Sequence, residues 1–144
     1  MLTKYCFLLL ICSQLFLTAC SFTSQSRSIT PYFDGQLLFN NNPIENTKIM
    51  LSIKAGDKYC LNTHKTSTTN NQGKFSLKAA TEEYTYTPFA DKQLDEWTVC
   101  AKYNGDTYTL YSNNRYGAGH VSGSIYLQCD LALNPTSKPC TISH

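Results

Sequence analysis

Three histidines, seven cysteines and one cluster of carboxylates are the side chains of this sequence with the chemistry to act on a substrate. None of His64, His120 and His144 sits in an H-E-x-x-H or G-x-S-x-G setting, so no zinc-peptidase helix or nucleophile elbow is encoded. Tetrahedral zinc sites use closely spaced pairs such as C-x2-4-C, and Cys60, Cys100, Cys129 and Cys140 are spaced far wider. Cys60 and His64 are four apart, which on an extended strand gives a shared face without proximity. Glu82, Glu83, Asp91, Asp95 and Glu96 fall within "TEEYTYTPFADKQLDEW". Paired carboxylates can work as acid and base, as in glycosidases, but such sites need a deep cleft. No D-x-D-x-D-G spacing prepares them for calcium. The glycines of "NNRYGAGHVSG" precede a strand pattern, whereas a phosphate cradle needs a helix there. The expectation is a chain with no catalytic residue, no metal and no cofactor.

Recognition is what these segments suit better. The acidic stretch sets Tyr84, Tyr86 and Phe89 beside Glu82 and Glu83 in a connection longer than the usual 2 to 6 residues. Aromatic residues are enriched at interface cores. Arg115, Tyr116 and His120 in the glycine-rich loop form a second candidate contact edge, because loops carry binding function. These eight residues are the expected partner-binding set.

The elements that must hold them read as all-β. In "TKIMLSIK", Ile49, Leu51 and Ile53 alternate with Lys48, Met50 and Ser52. In "WTVCAKY", Trp97, Val99, Ala101 and Tyr103 share one face, and in "SIYLQCDL", Ile125, Leu127, Cys129 and Leu131 do. Phe75, Leu77 and Ala79 form a fourth set, Leu37 with Phe39 a fifth, and Tyr108 with Leu110 a sixth. "YCLNTHKTST" is a weaker, more polar strand. Period-two alternation is the mark of a half-buried strand. "NNNPIEN", "NNQG" and "NGD" supply turns, since Asn and Gly tolerate positive φ. About seven short strands at this spacing predict one antiparallel β-sandwich, transthyretin-like or Ig-like, over residues 31–144.

The chain has 144 residues, the size of one domain. Twelve basic against ten acidic residues, with 15 % charged overall, provide no basic face for nucleic acid. The first residues differ from the rest. Lys4 precedes an apolar run from Tyr5 to Leu17, broken only by Ser13 and Gln14. That is short for a membrane span of about 20 residues and suits a signal peptide.

Leu17, Thr18, Ala19 and Cys20 spell "LTAC", which resembles the lipobox of bacterial lipoproteins. The resemblance implies cleavage after residue 19, a diacylglyceryl group on the Cys20 thiol and an acylated amine. Ser21 follows Cys20, and in Gram-negative members a residue other than Asp implies transfer to the outer membrane. Residues 20–30 then read as a flexible polar tether. Removing Cys6 and Cys12 with the signal, and Cys20 to lipid, leaves four cysteines in an oxidising compartment, an even count that reads as two disulfides. Three pairings are open. Cys60–Cys100 and Cys129–Cys140 are favoured, because "CDLALNPTSKPC" can fold back on itself and the other two lie in strand-like segments.

A second resemblance spans residues 35–77. "GQLLFNNNPIENTKIMLSI" followed by "TSTTNNQGKFSL" is similar to the transthyretin-like or carboxypeptidase-regulatory-like sandwich, carried by Gly35, Pro43, Ile44, Thr69, Gly73, Phe75 and Leu77. Asn70 stands where that family often has Asp. The resemblance implies a fold and no activity. Together these readings predict a lipid-anchored, non-enzymatic protein-binding module facing the periplasm. One form is an immunity protein against a periplasm-delivered toxin. The alternatives are an accessory subunit of a secretion or assembly machine, and a small envelope hydrolase.

Overall fold

A computed structural model describes residues 25–84, 94–116, 123–132 and 139–143. Among them there are eleven strands and no helix. The two main sheets face each other as an open, sandwich-like pair. The first holds β2 (Tyr32–Phe39), β3 (Asn42–Pro43), β6 (Lys74–Leu77), β10 (Ser124–Asp130) and β11 (Cys140–Ser143). The second runs in the order β5 (Lys65–Thr68), β4 (Lys48–Ser52), β8 (Leu94–Tyr103), β9 (Asp106–Tyr116). A separate two-stranded ribbon pairs β1 (Gln25–Ser28) with β7 (Thr81–Tyr84).

The core lies between the sheets, where the alternation of the sequence places it. Phe33 and Leu37 of β2, Phe75 and Leu77 of β6, and Ile125, Leu127 and Cys129 of β10 face Ile49 and Leu51 of β4, Trp97, Val99 and Ala101 of β8 and Leu110 of β9 in one buried cluster. Burying such side chains is the main favourable term in folding, at about 1.5 to 3 kcal/mol each. Gly35 sits between Phe33 and Leu37 on the inward face. A Cβ there would overlap the Leu127 carbonyl oxygen and lie 2.7 Å from the Phe75 ring, so only glycine lets that ring close over β2.

Two tight turns follow from their asparagines. Asn40 and Asn41 (φ 52° and 64°) join β2 to β3, and Asn104 and Gly105 (φ 50° and 90°) join Tyr103 to Asp106. Two successive residues at positive φ make the type I′ turn, whose twist matches that of a hairpin.

Four expectations need correction. The strands outnumber the expected seven, because turns divide the sheets into short pieces, and β10 pairs with β2 in parallel where antiparallel pairing was expected. Parallel neighbours need a long crossover, and here the chain passes through the second sheet between them. The sequence puts Cys60 in a polar strand, yet it sits in a loop at φ 51°, ahead of β5. Finally, ordered structure starts within the residues 20–30 expected as a tether. Gln25–Ser28 pair with Thr81–Tyr84, and Ile29 and Thr30 are buried, since Ile29 N–H donates to the Ala80 carbonyl and Thr30 Oγ1 accepts from Ala80 N–H.

Candidate functional site

The loop between β4 and β5 is built around Cys60. Its sulfur is bonded to Cys100 of β8, a residue with no exposed surface, on the face of the second sheet turned away from the main core. Met50 joins the two cysteines in a second small apolar cluster, so β4 and β8 are covered on both sides. The loop then adds polar fastenings. The Lys58 carbonyl accepts from Thr109 Oγ1 of β9 at 2.6 Å. Gly56 N–H donates to Glu96 Oε2 at 2.7 Å, and His64 N–H to the Leu51 carbonyl at 2.7 Å.

Asp57 is the hub of this loop. Its buried carboxylate accepts from Ser52 Oγ at 2.7 Å, Leu61 N–H at 2.9 Å and Asn62 N–H at 2.7 Å. Burial pushes this carboxyl's pKa up, but the donors, Asn62 N–H foremost, outweigh it and hold the pKa at about 2. A charged carboxylate held by three hydrogen-bond donors orders the loop around it.

With Cys60 turned inward, its two neighbours point out. Tyr59 is 61 % exposed and Leu61 83 %. Their backbone is held by a disulfide and by Asp57, so two large apolar side chains stand in water on a fixed frame. The sequence does not reveal them, because "YCLN" reads as part of a polar strand. The usable signal was the Gly-Asp turn just before a cysteine, with apolar residues on both sides of that cysteine.

Five of the eight expected partner-binding residues are among those described, and they lie on two different elements. Glu82 and Glu83 lie on β7, where Glu82 forms an ion pair with Arg27 of β1 and Glu83 is opposite Ser26. Tyr84 ends that strand opposite Gln25. Arg115 and Tyr116 end β9, opposite Asp95 and Leu94 of β8, in a different sheet. Tyr86, Phe89 and His120 lie outside the described residues. Among the described residues no strand pairing joins β7 to β9. The expected disulfides, Cys60–Cys100 and Cys129–Cys140, are both formed. Among the described residues no three His, Cys, Asp or Glu side chains converge on a point that could hold a cation. There too, no helix is long and apolar enough to cross a membrane.

Asp130 is a second carboxylate used as a fastener. It accepts from the N–H groups of Asn40, Asn41 and Ala132 at 2.8 to 3.0 Å, tying the β2–β3 turn to the end of β10. Burial raises its pKa and the three backbone donors lower it further, leaving it below the ordinary carboxylate value.

No curated protein matches the sequence. Among solved structures, the crystal structure of (S)-allantoin synthase aligns with 83 % of this chain at a TM-score of 0.39 and 12 % identity. This chain spans 44 % of that one's length. The sequence profile of the domain of unknown function DUF6795 matches residues 33–133, well over half of the chain, and the chain belongs to that family.

Proposed function

We propose that this chain is a lipid-anchored envelope protein whose β-domain binds another protein and catalyses nothing. The observation that carries the binding reading is the pair Tyr59 and Leu61, exposed on a loop that is covalently fixed to the sheet beneath it. Exposed apolar side chains are costly to leave in water and mark contact surfaces when grouped. A frame ordered before binding loses little conformational freedom on association, and so wastes less of the contact energy.

The anchor reading rests on "LTAC" at residues 17–20, with Ser21 favouring the outer membrane and the domain in the periplasm. Five peptide steps link Cys20 to the first residue of β1, which at about 3.6 Å each span at most about 18 Å. An anchored domain would therefore work close against the bilayer. Two or more acyl chains hold a protein firmly, where one holds it marginally.

The test uses the full chain in its own cells, with a photo-crosslinking residue in place of Leu61 and a fatty-acid analogue in the medium. The expected result is a protein adduct in the membrane fraction and labelling that Cys20→Ala abolishes. Labelling that survives Cys20→Ala overturns the anchor. A folded domain that yields no protein adduct from position 61 overturns the binding reading. The adduct also sorts the finer forms: a periplasm-delivered toxin makes the chain an immunity protein, and a secretion or assembly subunit makes it an accessory.

A further inference from the structure

Beside the Tyr59–Leu61 loop, the outward face of the second sheet carries an unfavourable arrangement. Lys48 of β4 lies directly opposite Lys102 of β8. Thr68 of β5 is opposite Lys48 on the far side, and Thr107 of β9 is opposite Lys102. One row across all four strands therefore reads Thr68, Lys48, Lys102, Thr107. Both lysines are exposed. Like charges directly opposite each other destabilise a sheet. Among the described residues no acid pairs with either lysine, the ion pair there being Arg27–Glu82, and neither ammonium has a hydrogen-bond partner.

This row adjoins the fixed loop. The next row along the same face is Thr66, Met50, Cys100, Thr109, and the loop is fastened to it through the Cys60–Cys100 disulfide and the Lys58–Thr109 hydrogen bond. Lys58 adds a third exposed ammonium with no ion-pair partner among the described residues. The loop that carries the apolar anchors and the pair of lysines thus occupy neighbouring rows on one face of the sheet.

We propose that this row is the electrostatic half of the interface at Tyr59 and Leu61, and that the partner presents an acidic protein segment to it. The inference rests on the protein-binding reading above and adds the partner's chemistry. Aspartate or glutamate carboxylates seated on the row would bridge Lys48 and Lys102, with the Thr68 and Thr107 hydroxyls as flanking donors, while an apolar residue of the same segment meets Tyr59 and Leu61. Two opposed ammonium groups become an asset once an anion lies between them, and charge complementarity of this kind steers association and fixes register.

The test uses the full-length acylated chain with a photo-crosslinker at Leu61 or, separately, at Thr107. Both positions should capture the same protein, at a segment rich in Asp and Glu. The double change Lys48→Glu and Lys102→Glu should lower the adduct yield at Leu61 by about tenfold or more, and Lys→Arg at both positions should keep it. Lys102→Glu alone places opposite charges across β4 and β8, so its melting temperature should be no lower than that of the wild type while its adduct yield falls. Unchanged yield after charge reversal overturns the proposal and leaves the protein-binding reading standing. A neutral or basic captured segment, or a lipid adduct at Thr107, also overturns it. The loss of any protein adduct at Leu61 in the otherwise native chain removes both readings together.

Discussion

The Asp57 carboxylate accepts a hydrogen bond from the buried Ser52 hydroxyl at 2.7 Å, and this contact joins the loop that displays Tyr59 and Leu61 to the end of β4. Asp57→Ala leaves Ser52 Oγ and the N–H groups of Leu61 and Asn62 without this acceptor. It is expected to cost about 1 to 3 kcal/mol in urea unfolding. The disulfide still closes the loop, so hydrogen exchange should speed up at residues 56–62 ahead of the core strands. Uniform loss of protection would show that Asp57 supports the whole sheet and not the loop.

Acid should act through the same carboxylate and its counterpart Asp130. Both have folded pKa values below the ordinary 3.8, with Asp57 at about 2. A group with a depressed folded pKa stabilises above its unfolded value, and the contribution is lost as pH falls through the window toward the folded value. Urea midpoints should therefore hold steady down to about pH 4 and fall between there and about pH 2. In Asp57→Asn the fall should be shallower. An equal slope in that variant would mean that other carboxylates govern the acid transition.

The Cys129–Cys140 disulfide closes a much shorter span than Cys60–Cys100, with sequence separations of 11 and 40. In the chain-entropy picture the two contribute about 3 and about 4 kcal/mol. The short one also fastens β11, an edge strand of four residues whose pairing is to β10. Replacing Cys129 and Cys140 with Ser should free β11 in hydrogen exchange while the β4–β8 pairing stays protected. Replacing Cys60 and Cys100 should instead abolish the cross-linking at Leu61. Loss of β4–β8 protection on removal of the short bridge would contradict this division.

Gly35→Ala puts a methyl group against the Leu127 carbonyl and the Phe75 ring. The carbonyl belongs to the β2–β10 ladder and cannot turn aside. Overpacking of this kind costs about 1 to 3 kcal/mol, occasionally more. A drop in urea midpoint of that size is expected, while Gly56→Ala, whose added Cβ meets nothing within 4 Å, should cost less despite its φ of +73°. The reverse ranking would show that backbone strain outweighs packing here.

The sequence alone determined the fold class, because period-two alternation records which face of each strand is buried: Ile49 and Leu51, Trp97 and Val99, and Ile125 and Leu127 all lie where their spacing put them. It also favoured both disulfides among three possible pairings, and it marked the Asn-Gly hairpin turn, a local property of residue type and spacing. The contact surface was not legible in the same way. Exposure of Tyr59 and Leu61 depends on Cys60 being drawn inward by a partner forty residues away, and the opposition of Lys48 to Lys102 depends on the register between two distant strands. Likewise, the polar residues Gln25–Ser28, expected as part of a tether, form a strand by pairing with distant Thr81–Tyr84, with Arg27 against Glu82. Alternation tells a residue which way to face along its own strand. Which residue stands opposite is fixed when strands far apart in the chain pair, and that step belongs to the tertiary structure.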